Sequence, residues 1–500
     1  MSEALRLEPT SALQRYRASI LTLGLGGLLA LALAPVQFIW IVPLALGLVA
    51  ALLLKADTFW QGARIGWLFG LGYFAVGLFW IVEPFQVDPD RHAWMAPFAL
   101  IFLAAGLALF WGAAFGVAVR IRPQALRVVA LIAFWSLAEF GRAYLFTGLP
   151  WAAFGQFWMN SPAALLLPWI GPHGLALLTL VATLPLGLLL HRPAMATVPL
   201  VLTLGGLLAL PSPPDTELTQ KVVRLIQPNA PQHQKWDPEY RWGFVRRQLD
   251  YTIAEPRPDL IVWPETAVPQ LLNNANDTLS VIAGSAGGVP VVTGIQRYED
   301  KRYFNSLVLI DDKGETSLTY DKTHLVPFGE YVPFGNVLAK FGITGFASQA
   351  GAGYAAGPGP QVLDLGIGKA LPLICYEAVF PHLLNAAPER ADMLVQITND
   401  AWFGSYSGPY QHLVQARMRA AEQGLPMIRV ANTGVSAMID GYGRVRESLP
   451  LGEAGFVDAQ LPKPLSPTLY SRTGDLPVFA LLLLMAFVVL RRQNSTAAAS

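Results

Sequence analysis

Hydropathy divides this chain into three parts. Residues 18–210 are almost continuously apolar, residues 216–465 have the mixed composition of a soluble domain, and residues 476–490 are apolar again. Such a chain is expected to fold as a bundle of apolar helices with one globular domain inserted before the last of them. Composition agrees: 53% of residues are hydrophobic and only 14% charged, against about 25% charged in ordinary soluble domains. The formal net charge is +1, and Lys and Arg form no dense patch, so nothing points to a nucleic-acid partner.

A membrane-crossing helix needs roughly 20 mostly apolar residues. Eight segments qualify: 18–34, 36–54, and about 60–82, 94–119, 126–146, 173–190, 195–211 and 475–490. The first runs straight into the second with no cleavage site and polar mature region after it, so it reads as a span rather than a cleaved signal peptide. With eight spans, Arg6, Arg15, Arg17, Lys55, Arg64, Arg120, Arg122, Arg127, Arg192, Arg491 and Arg492 all fall on one side, and little besides Arg91 and Arg142 on the other. Basic short loops mark the cytoplasmic side, which puts the inserted domain outside. Glu139 and Arg142 stand three residues apart near the outer end of the fifth span, side by side on a helix. A charge there is costly unless it is paired or faces a polar cavity. Two readings stand: a structural ion pair, or one wall of a polar, lipid-accepting pocket beneath the outer domain.

From Val222 onward, short β-rich runs alternate with polar, helix-compatible stretches. Strands are expected at 222–226, 260–263, 289–293, 304–310, 370–374, 393–398, 427–430 and 435–439, and helices at 238–254, from about 378, and at 410–423. This alternation predicts an α/β layered domain. There is no GxGxxG or Walker-type loop, so a nucleotide is not expected, and no His, Cys, Asp or Glu cluster has metal-ligand spacing, so no metal or other cofactor is expected either.

The chain has one cysteine, Cys375. It cannot form an internal disulfide or a Cys-based zinc site, which leaves an inert buried thiol or a nucleophile. Glu265 follows the run Ile-Val-Trp-Pro, Cys375 follows Leu-Pro-Leu-Ile, and Lys322 lies in the polar run Tyr320-Asp-Lys-Thr-His324. Layered α/β domains bind ligands at the carboxyl ends of their strands, so these three groups could share one site. A thiol of ordinary pKa needs a base or a nearby cation to become a good nucleophile. A glutamate can take the proton, and a lysine can stabilise an oxyanion.

The surrounding residues resemble the nitrilase superfamily, whose site is a Glu-Lys-Cys triad in an α-β-β-α sandwich. Trp263-Pro-Glu-Thr-Ala267, Asp321-Lys-Thr-His324 and Ile374-Cys-Tyr-Glu377 are similar to its three signatures, in the same order. The whole chain more closely resembles the bacterial apolipoprotein N-acyltransferase family, which places a nitrilase-like domain between seven N-terminal spans and one C-terminal span. The runs Val326-Pro-Phe-Gly-Glu-Tyr-Val-Pro-Phe334, Thr398-Asn-Asp-Ala-Trp-Phe-Gly404, Asn432-Thr-Gly434 and Gln227-Pro-Asn-Ala-Pro-Gln232 carry that likeness.

The resemblance implies an α/β nitrilase-like α-β-β-α sandwich inserted in a polytopic membrane domain of eight transmembrane helices. It implies a membrane domain over 1–215, a periplasmic catalytic domain over 216–465, and a last span with a short cytoplasmic tail over 466–500, all in the bacterial inner membrane. The implied reaction moves an acyl chain from a membrane phospholipid, through a cysteine thioester, to the α-amino group of an apolipoprotein's N-terminal diacylglyceryl-cysteine, without a cofactor. Cys375 would be the nucleophile, Glu265 the base and Lys322 the oxyanion-stabilising cation. Glu330 and Glu377 would be active-site carboxylates, Glu330 holding Lys322. Glu377 reads equally well as a cap for the helix after the nucleophile. Tyr376 would shape the oxyanion site, and Asn305 reads as a polar support or a turn residue. Trp236, Trp402 and Phe403 read as lining an acyl path or as plain packing, and His324 and His412 as structural. The nearest alternative is a membrane-tethered amidase that hydrolyses its thioester.

Overall fold

The computed structural model describes residues 12–333 and 353–498. Arg6, Phe334 and the side chain of Arg15 lie outside the described residues. The apolar segments fold as helices at Ala12–Leu29, Ile41–Leu54, Phe59–Gly77 followed by Phe79–Gln86, Ala96–Val119, Gln124–Tyr144, Leu167–Thr183, Pro193–Leu208 and Leu476–Ala498. Four helical stretches are long and apolar enough to cross a membrane: Pro89–Val119, Gln124–Tyr144, Pro162–Leu188 and Leu476–Ser495. The pair Phe59–Gly77 and Phe79–Gln86, bent by 46°, makes a fifth if it is one span. The remaining apolar helices, Tyr16–Ala32, Ile41–Leu54 and Pro193–Leu208, are shorter. Every segment expected to span is therefore helical, but among the described residues at most five helices reach spanning length.

Small residues set the spacing of this bundle. A Cβ on Gly66 would lie 2.6 Å from the Trp111 carbonyl oxygen, so the Phe59–Gly77 helix packs backbone to backbone on Ala96–Val119. The basic loops gather at one end. The Arg127 guanidinium donates to the carbonyls of Ala56 (2.8 Å) and Ile121 (3.1 Å). The Arg122 N–H donates to Gln493 Oε1 at 2.7 Å. The helix ends beside Lys55, Arg120 and Arg491 are thereby held together.

Among the described residues, twelve strands form two six-stranded sheets. In the first, β1 (Leu218–Gln227), β2 (Leu260–Val262) and β3 (Val291–Glu299) run parallel, and β4 (Arg302–Ile310), β5 (Thr316–Asp321) and β12 (Gly455–Pro462) pair antiparallel to their neighbours, in the order β12-β1-β2-β3-β4-β5. The second sheet has the order β11-β10-β9-β8-β7-β6. Its members are β6 (Leu363–Asp364), β7 (Lys369–Ile374), β8 (Met393–Thr398), β9 (Met427–Ala431), β10 (Ser436–Ile439) and β11 (Val445–Leu449), with β7, β8 and β9 parallel. The apolar run of β2 and all of β8, including its Gln396 and Thr398, are wholly buried, as expected of parallel strands covered on both faces. The β3–β4 hairpin turns on Asp300 and Lys301, both at positive φ, the geometry that a two-residue turn needs to match strand twist.

The helices Arg241–Ile253 and Asn276–Ala286 cover one sheet, and Gly408–Gln423 covers the other while also packing on the membrane helix Leu167–Thr183. The helix expected from about residue 378 is different. It is a 3-10 turn, Cys375–Val379, followed by the short helix Pro381–Asn385. Glu377 bends back onto the Ile374 N–H, and Pro381, suited to a first helical position, starts a new element. Strands β5, β6, β11 and β12 and the helix Asn276–Ala286 have no counterpart in the sequence reading.

Candidate active site

Glu265 reaches its place because β2 ends at Val262 and the chain turns at once. Thr266 sits at φ +46°, and the turn rests on Gly294, where a Cβ would lie 2.4 Å from the Thr266 nitrogen. Only glycine allows strand β3 to pass so close. Lys322 follows β5, whose last residue, Asp321, is fixed by Arg297 (Nε to Oδ1, 2.7 Å) and by Ser306 Oγ (2.7 Å). The Lys322 N–H donates to the Asn305 carbonyl at 2.9 Å. Cys375 follows β7 and belongs to the opposite sheet. Its φ is +52°, in the left-handed region that costs a non-glycine residue about 1–3 kcal/mol.

These turns bring Glu265, Lys322 and Glu330 together. Lys322 Nζ, 1% exposed, lies 2.9 Å from both Glu330 oxygens and 3.8 Å from Glu265 Oε1. Asn305 Nδ2 bridges the two carboxylates, donating to Glu265 Oε1 at 2.7 Å and Glu330 Oε1 at 3.1 Å. The Val326 N–H donates to Glu330 Oε2 at 2.9 Å. Burial alone would push the Lys322 ammonium down, but Glu330 and then Glu265 outweigh it and hold its pKa above the ordinary lysine value. The thiol of Cys375 is pushed up, first by burial and then by Glu265, with Lys322 and a hydrogen bond from Thr398 pulling the other way. The resting thiol is therefore protonated at neutral pH, and chemistry at its sulfur needs a base.

Glu377 is wholly buried. Its Oε1 accepts from Tyr320 Oη (2.9 Å), the Thr323 N–H (2.6 Å), Thr323 Oγ1 (2.8 Å) and the His324 N–H (3.1 Å), and its Oε2 accepts from the Ile374 N–H (2.7 Å). It ties the Lys322 loop to the turn that carries Cys375. The cap reading is the nearer of the two, although the turn it caps is 3-10. Tyr376 is buried beside Cys375, its hydroxyl 3.4 Å from the Gly148 carbonyl. Gly148 belongs to the loop after Gln124–Tyr144, so the site lies against the apolar bundle at the C-terminal end of that helix.

The aromatic residues separate. Phe403 is buried, with its ring 4.9 Å from Trp80 and 5.5 Å from Trp151, and so cements the two parts of the molecule. Trp402 and Trp236 are half-buried. Glu139 and Arg142 do not join the catalytic groups. Both are buried and paired at 2.6 Å, Trp111 Nε1 donates to Glu139 at 2.7 Å, and Arg142 donates to the carbonyls of Leu149 and Trp151. Their polar atoms are engaged within the protein, which favours the structural pair over a lipid-lining wall.

Sequence reasoning read His412 as structural without seeing its partners, and passed over Lys235. His412 and Gln396 each stand 3.1 Å from the Cys375 carbonyl oxygen. Behind His412 are Asp400 at 2.8 Å from Nδ1 and Arg429 at 2.5 Å from Asp400. Burial keeps His412 below its usual pKa. Lys235, from the short helix Gln232–Lys235, is buried and donates to the Glu265 carbonyl (2.9 Å) and Thr266 Oγ1 (2.8 Å). Within a polar run beside Trp236 it reads as a solvated lysine, and no local pattern marks it otherwise.

Residues 222–466 match the family model described as carbon-nitrogen hydrolase. Residues 25–184 match that of the apolipoprotein N-acyltransferase N-terminal domain. An apolipoprotein N-acyltransferase of Allorhizobium ampelinum is 39% identical over 487 residues, covering 90% of this chain and 91% of its own. One from Rhodopseudomonas palustris is 38% identical over 465 residues, 86% of each chain. The structure of an amidase from Nesterenkonia sp. overlays 49% of this chain and 92% of its own, at 20% identity and a TM-score of 0.35. Two family models in the order membrane helices then hydrolase domain, and relatives aligned over nearly the full length, account for both halves of the molecule: the chain belongs to the apolipoprotein N-acyltransferase family.

Proposed function

We propose that this acyltransferase of lipoprotein N-acylation works by a cysteine thioester, with Glu265, Lys322 and Cys375 as its catalytic groups. Glu265 takes the thiol proton, and Cys375 Sγ attacks an ester carbonyl of a membrane phospholipid. Lys322 stabilises the tetrahedral oxyanion, which collapses as the lysophospholipid leaves with the proton returned by Glu265. The α-amino group of a diacylglyceryl-cysteine then attacks the thioester, an amide forms, and the thiol is restored. Such a two-step exchange is ping-pong. The observation that carries this reading is the buried meeting of Lys322 with Glu265 and Glu330 beside a cysteine held at positive φ. Glu330 and Asn305 fix the lysine and the base, while Tyr376 and Glu377 hold the turn. Trp236 and Trp402 border the acyl path.

The same reading assigns eight spans, with residues 1–215 and 466–500 in the bacterial inner membrane and 216–465 on the periplasmic side. Its support is the gathering of basic loops at one end of the bundle and the apolar surface of Leu476–Ser495, of which only 22% is buried within the protein. Both substrates are lipid-anchored, and a site against the outer ends of these helices would meet them there.

The test is to incubate the enzyme with a phospholipid carrying a labelled acyl chain and map the adduct by mass spectrometry. A hydroxylamine-labile acyl group on the Cys375 peptide is expected, absent in Cys375→Ser and discharged as an amide on a diacylglyceryl-cysteine peptide. An adduct elsewhere, or release only of free acid, would overturn the reading.

A further inference from the structure

We propose that Lys235 is a positioning residue for the acylation step: its ammonium pins the turn that carries Glu265 and neutralises the buried charge of the site. This deepens the proposed function and rests on it.

Three observations carry it. Lys235 is 6% exposed, and both of its acceptors, the Glu265 carbonyl and the Thr266 hydroxyl, are uncharged. Burying an ammonium without a directly bonded carboxylate is unfavourable, so it persists only where the surroundings use the charge. The acceptors are the base itself and the residue after it, which sits at φ +46°. A strained turn keeps its geometry only if its neighbours over-determine it, and the Lys235 ammonium bridges this one on two sides.

The charges supply the third. The two carboxylates Glu265 and Glu330 share the single ammonium of Lys322 within ion-pair distance, one formal negative charge in excess, and Lys235 offsets it. Acylation builds an oxyanion in this same buried space, which is much harder in a site already negative. Thiol deprotonation and oxyanion formation move charge within the site without changing its total, so the cancellation holds through the whole step.

The titratable groups facing Lys235 are Glu265 and Cys375, both of which act on its charge, and its ammonium lies 5.9 Å from the centre of the Trp236 ring. Arg241 and Gln248 line the same small cavity, together with Thr266 and Asn432. Burial pushes the Lys235 ammonium down to about 8, with Glu265 and Cys375 pulling it back. Lys322 is held charged well above that range. Of the two site lysines, Lys235 alone should then lose its proton over mildly alkaline pH.

The experiment measures single-turnover acylation of Cys375 by labelled phospholipid, with the full-length enzyme in detergent, from pH 6.5 to 9.5. In the wild type the rate should fall as pH passes about 8. Lys235→Met should be about 100-fold slower at pH 7, the scale of a misplaced catalytic group. It should show no fall near pH 8, and its half-saturating phospholipid concentration should be unchanged. Thr266→Val, which removes one acceptor and no charge, should keep the pH profile and lose only a few-fold in rate. Acylation by Lys235→Met at the wild-type rate, or a wild-type rate that is flat across pH 8, overturns the proposal. If Lys235→Met fails to fold, the wild-type profile alone decides. Failure of the underlying thioester reading is distinguishable, since it would appear as no adduct on wild-type Cys375 at any pH.

Discussion

Glu377→Gln asks whether this carboxylate belongs to the chemistry or to the scaffold. The side chain accepts five hydrogen bonds, four at Oε1 and one at Oε2. Glutamine keeps one acceptor oxygen. The lower-energy placement sets that oxygen toward Tyr320, Thr323 and His324. Its NH2 group then meets the Ile374 N–H, whose distance to Oε2 in the native protein is 2.7 Å. One bond to a charged acceptor is lost and two buried donors face each other, a cost of roughly 2–3 kcal/mol. In a domain of this size each kcal/mol moves Tm by about 2–4 °C, so Tm should fall by about 5–10 °C. The assay is thermal unfolding in detergent followed by tryptophan fluorescence, with acylation of Cys375 measured in parallel at about 15 °C. A scaffold role predicts the lower Tm with acylation of the folded enzyme reduced by no more than about tenfold, because the turn is loosened and no reacting group is lost. Acylation abolished at an unchanged Tm would put Glu377 in the chemistry and refute the assignment.

Two further outcomes follow from buried groups away from the reacting atoms. Gln411 accepts from Trp151 Nε1 at 2.7 Å and donates to the carbonyls of Gly77 (3.1 Å) and Ala34 (3.2 Å). Gln411→Leu leaves all three without a partner, at about 1–3 kcal/mol for each buried orphan, and should speed amide exchange over residues 148–158 and slow acylation; unchanged exchange there would remove Gln411 as the joint. Glu422 is buried, and burial raises its pKa to about 7 although Arg419 at 2.5 Å opposes the shift. The folded protein holds this proton up to that pH while the unfolded chain releases it near the ordinary value of about 4.3, so this contribution to stability is full below about 4.3 and declines as pH rises to 7. Glu422→Gln should flatten the fall in thermal stability between pH 5 and 7, and an identical slope in the variant would contradict the assignment.

Much of the site was legible because its parts are local. Glu265 and Cys375 each follow a short apolar run that reads as a buried strand, and the strand-end rule joins them without knowledge of the turns; Lys322 lies in a polar run and stands out only by its residue type within Asp321-Lys-Thr-His324. What the sequence hides is contact between distant segments. Lys235 precedes Glu265 by thirty residues, and nothing in its neighbours tells a buried amine from a solvated one. The positive φ of Cys375 leaves no mark either, because the position carries a cysteine and not the glycine that would announce it. The helix expected after Cys375 failed for the same reason: five donors reach Glu377 from β7, Tyr320 and the Lys322 loop, and that network overrides local helical preference. The count of spans shows the opposite limit. Hydropathy found every apolar helix but could not say that Ile41–Leu54 and Pro193–Leu208 stop short of spanning length, since apolarity alone does not say where a helix stops.

The clamp on the apolar bundle suggests why the hydrolase sandwich and the helices form one molecule. Glu139 holds Arg142, and Arg142 holds the carbonyls of Leu149 and Trp151. Trp151 donates to Gln411, and the next residue of the same helix, His412, meets the Cys375 carbonyl. Every link except the part-buried one to Leu149 is buried, and buried polar links are strong and intolerant of slack. The Tyr376 hydroxyl closes a second, weaker path through Gly148 in the same loop. A soluble hydrolase needs no such reference, because its substrate arrives from any direction. An acyl ester held at a fixed depth in a bilayer can meet a thiol only if the thiol is held at that depth too, within roughly the 1 Å tolerance that reacting geometries allow. On the proposed thioester mechanism, the buried ion pair near the end of Gln124–Tyr144 has a reason to exist despite its desolvation cost: it fixes the loop against which the turn of Cys375 rests.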